Sequence, residues 1–206
     1  MYKPNYKIEN KLWRRGFERI AGLDEAGRGA WAGPVVAAAV ILPPKLALRG
    51  LRDSKQLSPK AREQFYVYIN KNAIGIGIGI VSEKVIDEKG IIFATRQAFL
   101  DAIENLKLNP DYLLIDGIRL FNHKLPLDFL VKGDNKCVSI AAASVIAKVA
   151  RDNILIDYNK KYPQYGFDQH KGYGTWEHRS RILDHGACPI HRLSFKPLVE
   201  AGYKEL

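Results

Sequence analysis

The sequence predicts an α/β domain built on one mixed five-stranded sheet, three strands antiparallel and two parallel, with helices on its faces. Three observations lead there. Apolar, β-branched runs at 19–26, 35–42 and 74–81 come early and are read as strands joined by turns, which pair antiparallel. Two later runs, 112–116 and 129–132, are reached through helical patterns and so add in parallel. Between 74 and 81 isoleucine alternates with glycine, giving one apolar face and one bare face, and a bare face calls for a closely packed neighbour such as a helix.

The helices follow from period and caps. Ser58 then Pro59 places a cap and a first-turn proline before a helix over 59–72, on which Phe65, Tyr66 and Ile69 form a core stripe rather than a base-stacking platform. Ser82 opens a second helix over 83–106, with a break at Gly90. A third runs over 138–160, and a fourth over 176–185 lies between a Thr175 cap and a closing Gly186.

Composition bounds the function classes. Of 206 residues, 47% are hydrophobic and 26% charged, which excludes a disordered chain and suits one domain over 1–206, with its core at about 18–198 and a basic N-terminal arm at 1–17. The longest apolar stretch, 34–44, falls short of the ~18 residues that a spanning helix needs, so no membrane is expected. Met1 is followed by Tyr-Lys-Pro-Asn-Tyr-Lys rather than an apolar segment, and a cytoplasmic location is expected. Cys137 and Cys188 lack metal-ligand spacing and read as free thiols. The net charge of +10 is concentrated: residues 1–20 carry six cations against two anions, and 45–62 six against one. A localised positive field suits a polyanionic partner. With no repeat or coiled-coil pattern, a monomer is expected.

Within this basic chain, apolar strands repeatedly deliver carboxylates beside glycine. Asp24 and Glu25 lead into Gly27-Arg28-Gly29, Asp116 precedes Gly117, and Asp134 follows Gly133. Strand ends meet at one edge of a sheet, so the four acids are expected to converge. Crowded carboxylates without thiolates or paired histidines suit Mg²⁺ or Mn²⁺, and two such ions catalyse phosphodiester hydrolysis. Asp116-Gly117 and Gly133-Asp134 are equally familiar as turn signals. Asp24-Glu25, at the end of a buried strand, is harder to explain as structure.

The stretch Ile20-Ala21-Gly22-Leu23-Asp24-Glu25-Ala26-Gly27-Arg28-Gly29, followed by Gly33-Pro34-Val35-Val36, resembles the signature of ribonuclease HII, the type 2 ribonuclease H family. Asp53-Ser54-Lys55, Asp116-Gly117, Gly133-Asp134, Ser139 through Arg151-Asp152, His170-Lys171-Gly172-Tyr173-Gly174-Thr175 and His191-Arg192-Leu193-Ser194-Phe195 continue the match in order. The resemblance implies a ribonuclease H-like fold with Asp24, Glu25, Asp116 and Asp134 as ligands of two divalent ions. It further implies that Gly27, Arg28 and Gly29 contact the 2′-OH groups flanking the scissile phosphate, and that Tyr173 stacks on the following sugar. The implied activity is cutting of the RNA strand of RNA/DNA hybrids, and of duplex DNA 5′ of an embedded ribonucleotide, to leave 3′-OH and 5′-phosphate ends during ribonucleotide removal.

The other candidates rest on position. Ser144, Lys148 and Arg151 recur at helical spacing as a polar stripe, expected to hold a phosphate or orient Asp134, or else to face water. Lys55, in the most basic segment, is expected at backbone phosphates or as a plain surface lysine. His191 is either a proton carrier or a hydrogen-bonded structural histidine. Two other functions compete: the sister ribonuclease HIII type, whose extra N-terminal domain finds no room before the first strand, and a non-catalytic hybrid-binding protein, which the presence of all four acids disfavours.

Overall fold

The computed structural model describes residues 3–203. Its elements in chain order are α1 (Lys7–Arg14), β1 (Ile20–Ala26), β2 (Val35–Ile41), α2 (Pro59–Asn72), β3 (Gly75–Val81), α3 (Glu83–Glu104), β4 (Tyr112–Asp116), β5 (Leu127–Leu130), α4 (Val138–Lys161), α5 (Phe167–His170), α6 (Trp176–His185) and α7 (Lys196–Glu200). The sheet runs β3-β2-β1-β4-β5; β1, β2 and β3 pair antiparallel, and β4 and β5 add in parallel. The connection from β2 to β3 is no turn, since it carries α2, yet the pairing is antiparallel as expected.

Val-Val-Ala-Ala-Ala-Val-Ile makes β2 apolar on both faces, and all seven residues are buried between helical layers. On one side lies α3, which contributes Ala94, Ala98, Phe99 and Ala102; on the other lies α4, with Ala141, Ala142, Ala143 and Val145. Small residues let the helix backbones approach. A Cβ at Gly77 or Gly79 would overlap the carbonyl oxygens of Ala102 or Ala98, so the bare face of β3 is where α3 sits. Gly22 does the same for α4, because a Cβ there would stand 2.5 Å from Ile140 N. Gly90, at φ 81, interrupts α3 where the break was expected.

Besides the short α5 and α7, which the sequence reading did not include, two elements differ from it. The last strand is Leu127–Leu130, not 129–132: Val131 is 57% exposed, and Lys132 turns the chain at φ 57. The basic arm contains a docked helix, α1, whose Ile8, Leu12 and Trp13 pack against Cys137 and Ile140. Its Glu9 is buried and accepts from Ser139 N at 3.0 Å and Ser139 Oγ at 2.9 Å, so this carboxylate caps the start of α4 from another part of the chain. Among the described residues no helix is long and apolar enough to cross a membrane. Both cysteines are free and buried.

Candidate active site

β1 ends at the acids because its parallel partner β4 ends there too. Leu23 pairs with Ile115, so Asp24 and Asp116 leave neighbouring strands side by side. Asp116 in turn pairs with Leu130, from which the chain runs through Lys132 to Asp134. All four acids open onto one cavity of about 310 Å³, shared with residues 27–29 and 53–55, Ser144, Lys148 and Tyr173.

Burial pushes all four carboxyls above their ordinary range, and at Asp24, Glu25 and Asp134 the charge of neighbouring carboxylates adds to it. For Asp24 the added charges are Glu25 and Asp116, and for Asp134 they are Asp116 and Asp53. Burial also dominates at Glu25, where Arg28 opposes it from 3.4 Å, and at Asp116, where the Gly133 N–H opposes it at 2.6 Å. Lys55 supplies the intervening cation: burial lowers its pKa, but Asp53, Asp24 and Asp134 outweigh that and raise it overall.

Each acid has its own donor. Asp24 Oδ1 accepts from Glu25 N at 2.7 Å and takes a further hydrogen bond from the Ser144 hydroxyl, while Asp134 Oδ1 accepts from Asn135 Nδ2 at 2.9 Å. Among the described residues no three of these side chains are closed around one point. All four carboxylates nevertheless line the same cavity. The donors are all hard oxygens, the set that suits Mg²⁺ or Mn²⁺.

A ribonuclease HII family model matches residues 21–198. The chain belongs to that family. A ribonuclease HII of Acetivibrio thermocellus is 56% identical over 187 residues, covering 91% of this chain and 73% of that protein. One from Bacillus thuringiensis (strain Al Hakam) is 54% identical over 192 residues, covering 93% and 74%. Among solved structures, ribonuclease H2 from Pyrococcus horikoshii OT3 superimposes with a TM-score of 0.74 at 26% identity, covering 88% of this chain and 96% of that one. Bst-RNase HIII in complex with Mn²⁺ superimposes at 0.65 with 19% identity, covering 89% and 68%, a likeness of fold. The fold is ribonuclease H-like, and family membership makes the chain an endoribonuclease acting on RNA/DNA hybrids.

The expected polar stripe on α4 is split by the structure. Ser144 lies on the acids, where it touches Asp24 rather than Asp134. Lys148 lines the cavity, is paired with Asp152 at 2.7 Å, and places its Nζ 5.2 Å from the Tyr173 ring centroid. Arg151 is fully buried, so its guanidinium is turned to carbonyls rather than to the surface. It donates at 2.9 Å to each of Pro34 O, Lys171 O and Ala32 O, and its Cζ lies 5.2 Å from the Tyr173 ring centroid. Gly27 is left-handed (φ 97) and packed on Arg151, whereas the Gly29 backbone is open, with nothing within 4 Å of a Cβ placed there.

Several residues at or around the site stand in the matched motifs but were given no role, or two open ones, by the sequence. Arg192, fully buried, donates to Gly33 O at 2.7 and 2.9 Å and to Arg28 O at 3.1 Å; burial lowers its pKa to about 9. Among the described residues neither it nor Arg151 forms an ion pair. Both clamp the loop at 28–34 through carbonyl dipoles. Asp53 caps the turn that carries Lys55, and the Ser54 and Ser144 hydroxyl oxygens lie 2.9 Å apart, so that with the Ser144 proton on Asp24 it is Ser54 that donates. His191 is a buried, hydrogen-bonded histidine that does not line the acid cavity. The sole signal for Arg192 and Ser54 was their place in the matched motifs; spacing carries none.

Proposed function

We propose that this chain, besides cutting RNA/DNA hybrids, incises duplex DNA on the 5′ side of an embedded ribonucleotide and so serves ribonucleotide removal. One observation carries the reading: five carboxylates, four of them the strand-end acids, and two ammonium groups share a cavity that is also lined by an open backbone turn and a half-buried tyrosine. Two divalent ions, Mg²⁺ or Mn²⁺, held by Asp24, Glu25, Asp116 and Asp134, would supply water activation and neutralise the charge on the leaving oxygen.

The chain's own groups do the rest. Ser144 orients Asp24 and the Gly133 N–H orients Asp116. Lys55 brings its ammonium to a phosphate at the cavity mouth. The backbone of Gly27, Arg28 and Gly29 reads the 2′-OH, which alone separates the sugars and is both donor and acceptor. The Tyr173 ring, flanked by Lys148 and Arg151, lies under the following sugar and favours deoxyribose there. Water attacks phosphorus and the 3′ oxygen departs with a proton, leaving 3′-OH and 5′-phosphate ends.

The test is cleavage of a DNA duplex with one ribonucleotide, with and without Mg²⁺. Asp24→Asn and Asp116→Asn are expected to abolish the cut while the fold persists. Turnover near wild type from either variant in Mg²⁺ would overturn the assignment.

A further inference from the structure

Beside the acid cavity the molecule buries three histidines together, and the proposed chemistry uses none of them. His170 at the end of α5, His178 in α6 and His191 before α7 are 9%, 0% and 2% exposed. The rings of His170 and His178 stack with centroids 4.2 Å apart, and His178 Nε2 lies 3.0 Å from His191 Nε2. Burial keeps them neutral: it lowers His170, and it pushes His178 down to about 3 and His191 to about 4.

A neutral imidazole has one donor and one acceptor, and here the neighbours decide which is which. The Tyr173 carbonyl can only accept, so His178 Nδ1, 3.0 Å away, carries the proton. Its Nε2 is then an acceptor and receives the Nε2–H of His191. That leaves His191 Nδ1 to accept from Cys188 N at 2.8 Å. The alternative, His191 Nδ1–H donating to the Cys188 carbonyl 3.2 Å away, would set two acceptors face to face at 3.0 Å. At His170, Nε2–H donates to Tyr165 O at 2.8 Å and Nδ1 accepts from Gly172 N at 3.1 Å.

The chain of tautomers therefore ends on one loop. His178 holds the carbonyl of Tyr173 and His170 the amide of Gly172, while Trp31 N donates to Gly172 O at 2.8 Å. The tyrosine ring faces the acid cavity; its backbone rests on the histidines, none of which lines that cavity. Apolar packing alone would fill this space without selecting a tautomer.

We propose that His170, His178 and His191 form a tautomer-locked chain that positions Tyr173 against the sugar next to the scissile phosphate. They are positioning residues, and the proposal rests on the reading of Tyr173 as the sugar-recognising side chain.

Long-range ¹H–¹⁵N NMR of the wild-type chain reads the tautomers directly. His170 and His191 are expected as Nε2–H and His178 as Nδ1–H, with His178 and His191 unchanged between pH 8 and pH 5.5, since ordinary histidines titrate near ~6.5. An Nε2–H tautomer at His178, or ordinary titration of His178 or His191, overturns the proposal. In cleavage of a single-ribonucleotide duplex, His178→Leu is expected to lower kcat roughly 10- to 100-fold with KM nearly unchanged, the scale of a small misplacement. His178→Asn, whose amide N–H reaches the Tyr173 carbonyl, regains most of the loss. In the Tyr173→Ala background His178→Leu costs nothing more. Additive losses, or an Asn variant no better than Leu, overturn the positioning role. Should His178→Leu fail to fold, the asparagine variant and the NMR spectra decide. If Tyr173→Ala loses equally on single-ribonucleotide duplex and full hybrid, the reading of Tyr173 falls and takes this one with it. If Tyr173→Ala is selective and a folded His178→Leu is not, the histidine chain alone is refuted.

Discussion

Replacing Gly27 with alanine adds a Cβ that overlaps Arg151 Nε and stands 2.6 Å from its Cδ, in a backbone already at φ 97. The left-handed conformation costs an L-residue about 1–2 kcal/mol. Arg151 must also move, and each charge-assisted bond it gives up is worth about 1.5–3 kcal/mol. Losing one of its three carbonyl bonds brings the total to about 3–5 kcal/mol, a melting temperature lower by roughly 6–20 °C for a chain of this size. Gly29→Ala is the control: with nothing within 4 Å of its Cβ, it is expected to change stability by less than about 0.5 kcal/mol. Its methyl does stand where a sugar must approach, so cleavage of a single-ribonucleotide duplex is expected to fall roughly tenfold, one hydrogen bond's worth. Thermal melts and initial rates on both variants provide the assay. A Gly27→Ala chain that melts like wild type refutes the clamp, and a fully active Gly29→Ala refutes close backbone approach.

Three further outcomes are expected. Folded Asp24 takes its proton at higher pH than the unfolded carboxyl, so its charge opposes folding above the ordinary value of 3.8, and that penalty disappears below it. Asp24→Asn, which keeps an acceptor for Glu25 N, should therefore be more stable at pH 7 in chelator by about 1–2 kcal/mol, with the gain fading toward pH 4; a lower melting temperature at pH 7 would contradict this. Lys55→Ala should weaken binding to every duplex alike and reduce the slope of log affinity against log salt by about 1, read by fluorescence anisotropy; an unchanged slope would place Lys55 off the phosphates. Glu9→Ala strands the buried Ser139 N–H and hydroxyl and should cost about 1–3 kcal/mol, visible as a lower urea midpoint; an unchanged midpoint would remove Glu9 as the cap of α4.

Much of the fold was legible because its strongest signals are local. The glycine–isoleucine alternation of β3 announced a close helix, and α3 lies there; Ser58 and Thr175 cap the helices they were read to open. The errors arose where tertiary contact overrides local pattern. Phe129-Leu130-Val131 reads as a strand, yet pairing begins at Leu127 opposite Leu113, which leaves Val131 in solvent. Charge concealed α1, whose apolar stripe is short and includes the buried Glu9. At the site, the strand-end acids were legible because chain order and parallel pairing place them. Arg151 was not: helical spacing gives a direction, whereas its depth depends on carbonyls more than a hundred residues away in sequence. The histidine chain, drawn from 170, 178 and 191, has no period to detect.

The arginine clamp also sets an order of events during synthesis. Arg192 grips Arg28 O across 164 residues and Gly33 O across 159, and Arg151 reaches Pro34 O across 117. At ~5–20 residues per second, the strand bearing Asp24 emerges many seconds before either arginine that fixes the loop beside it. The loop beside Asp24 is therefore fixed only after residues more than a hundred positions downstream have been made.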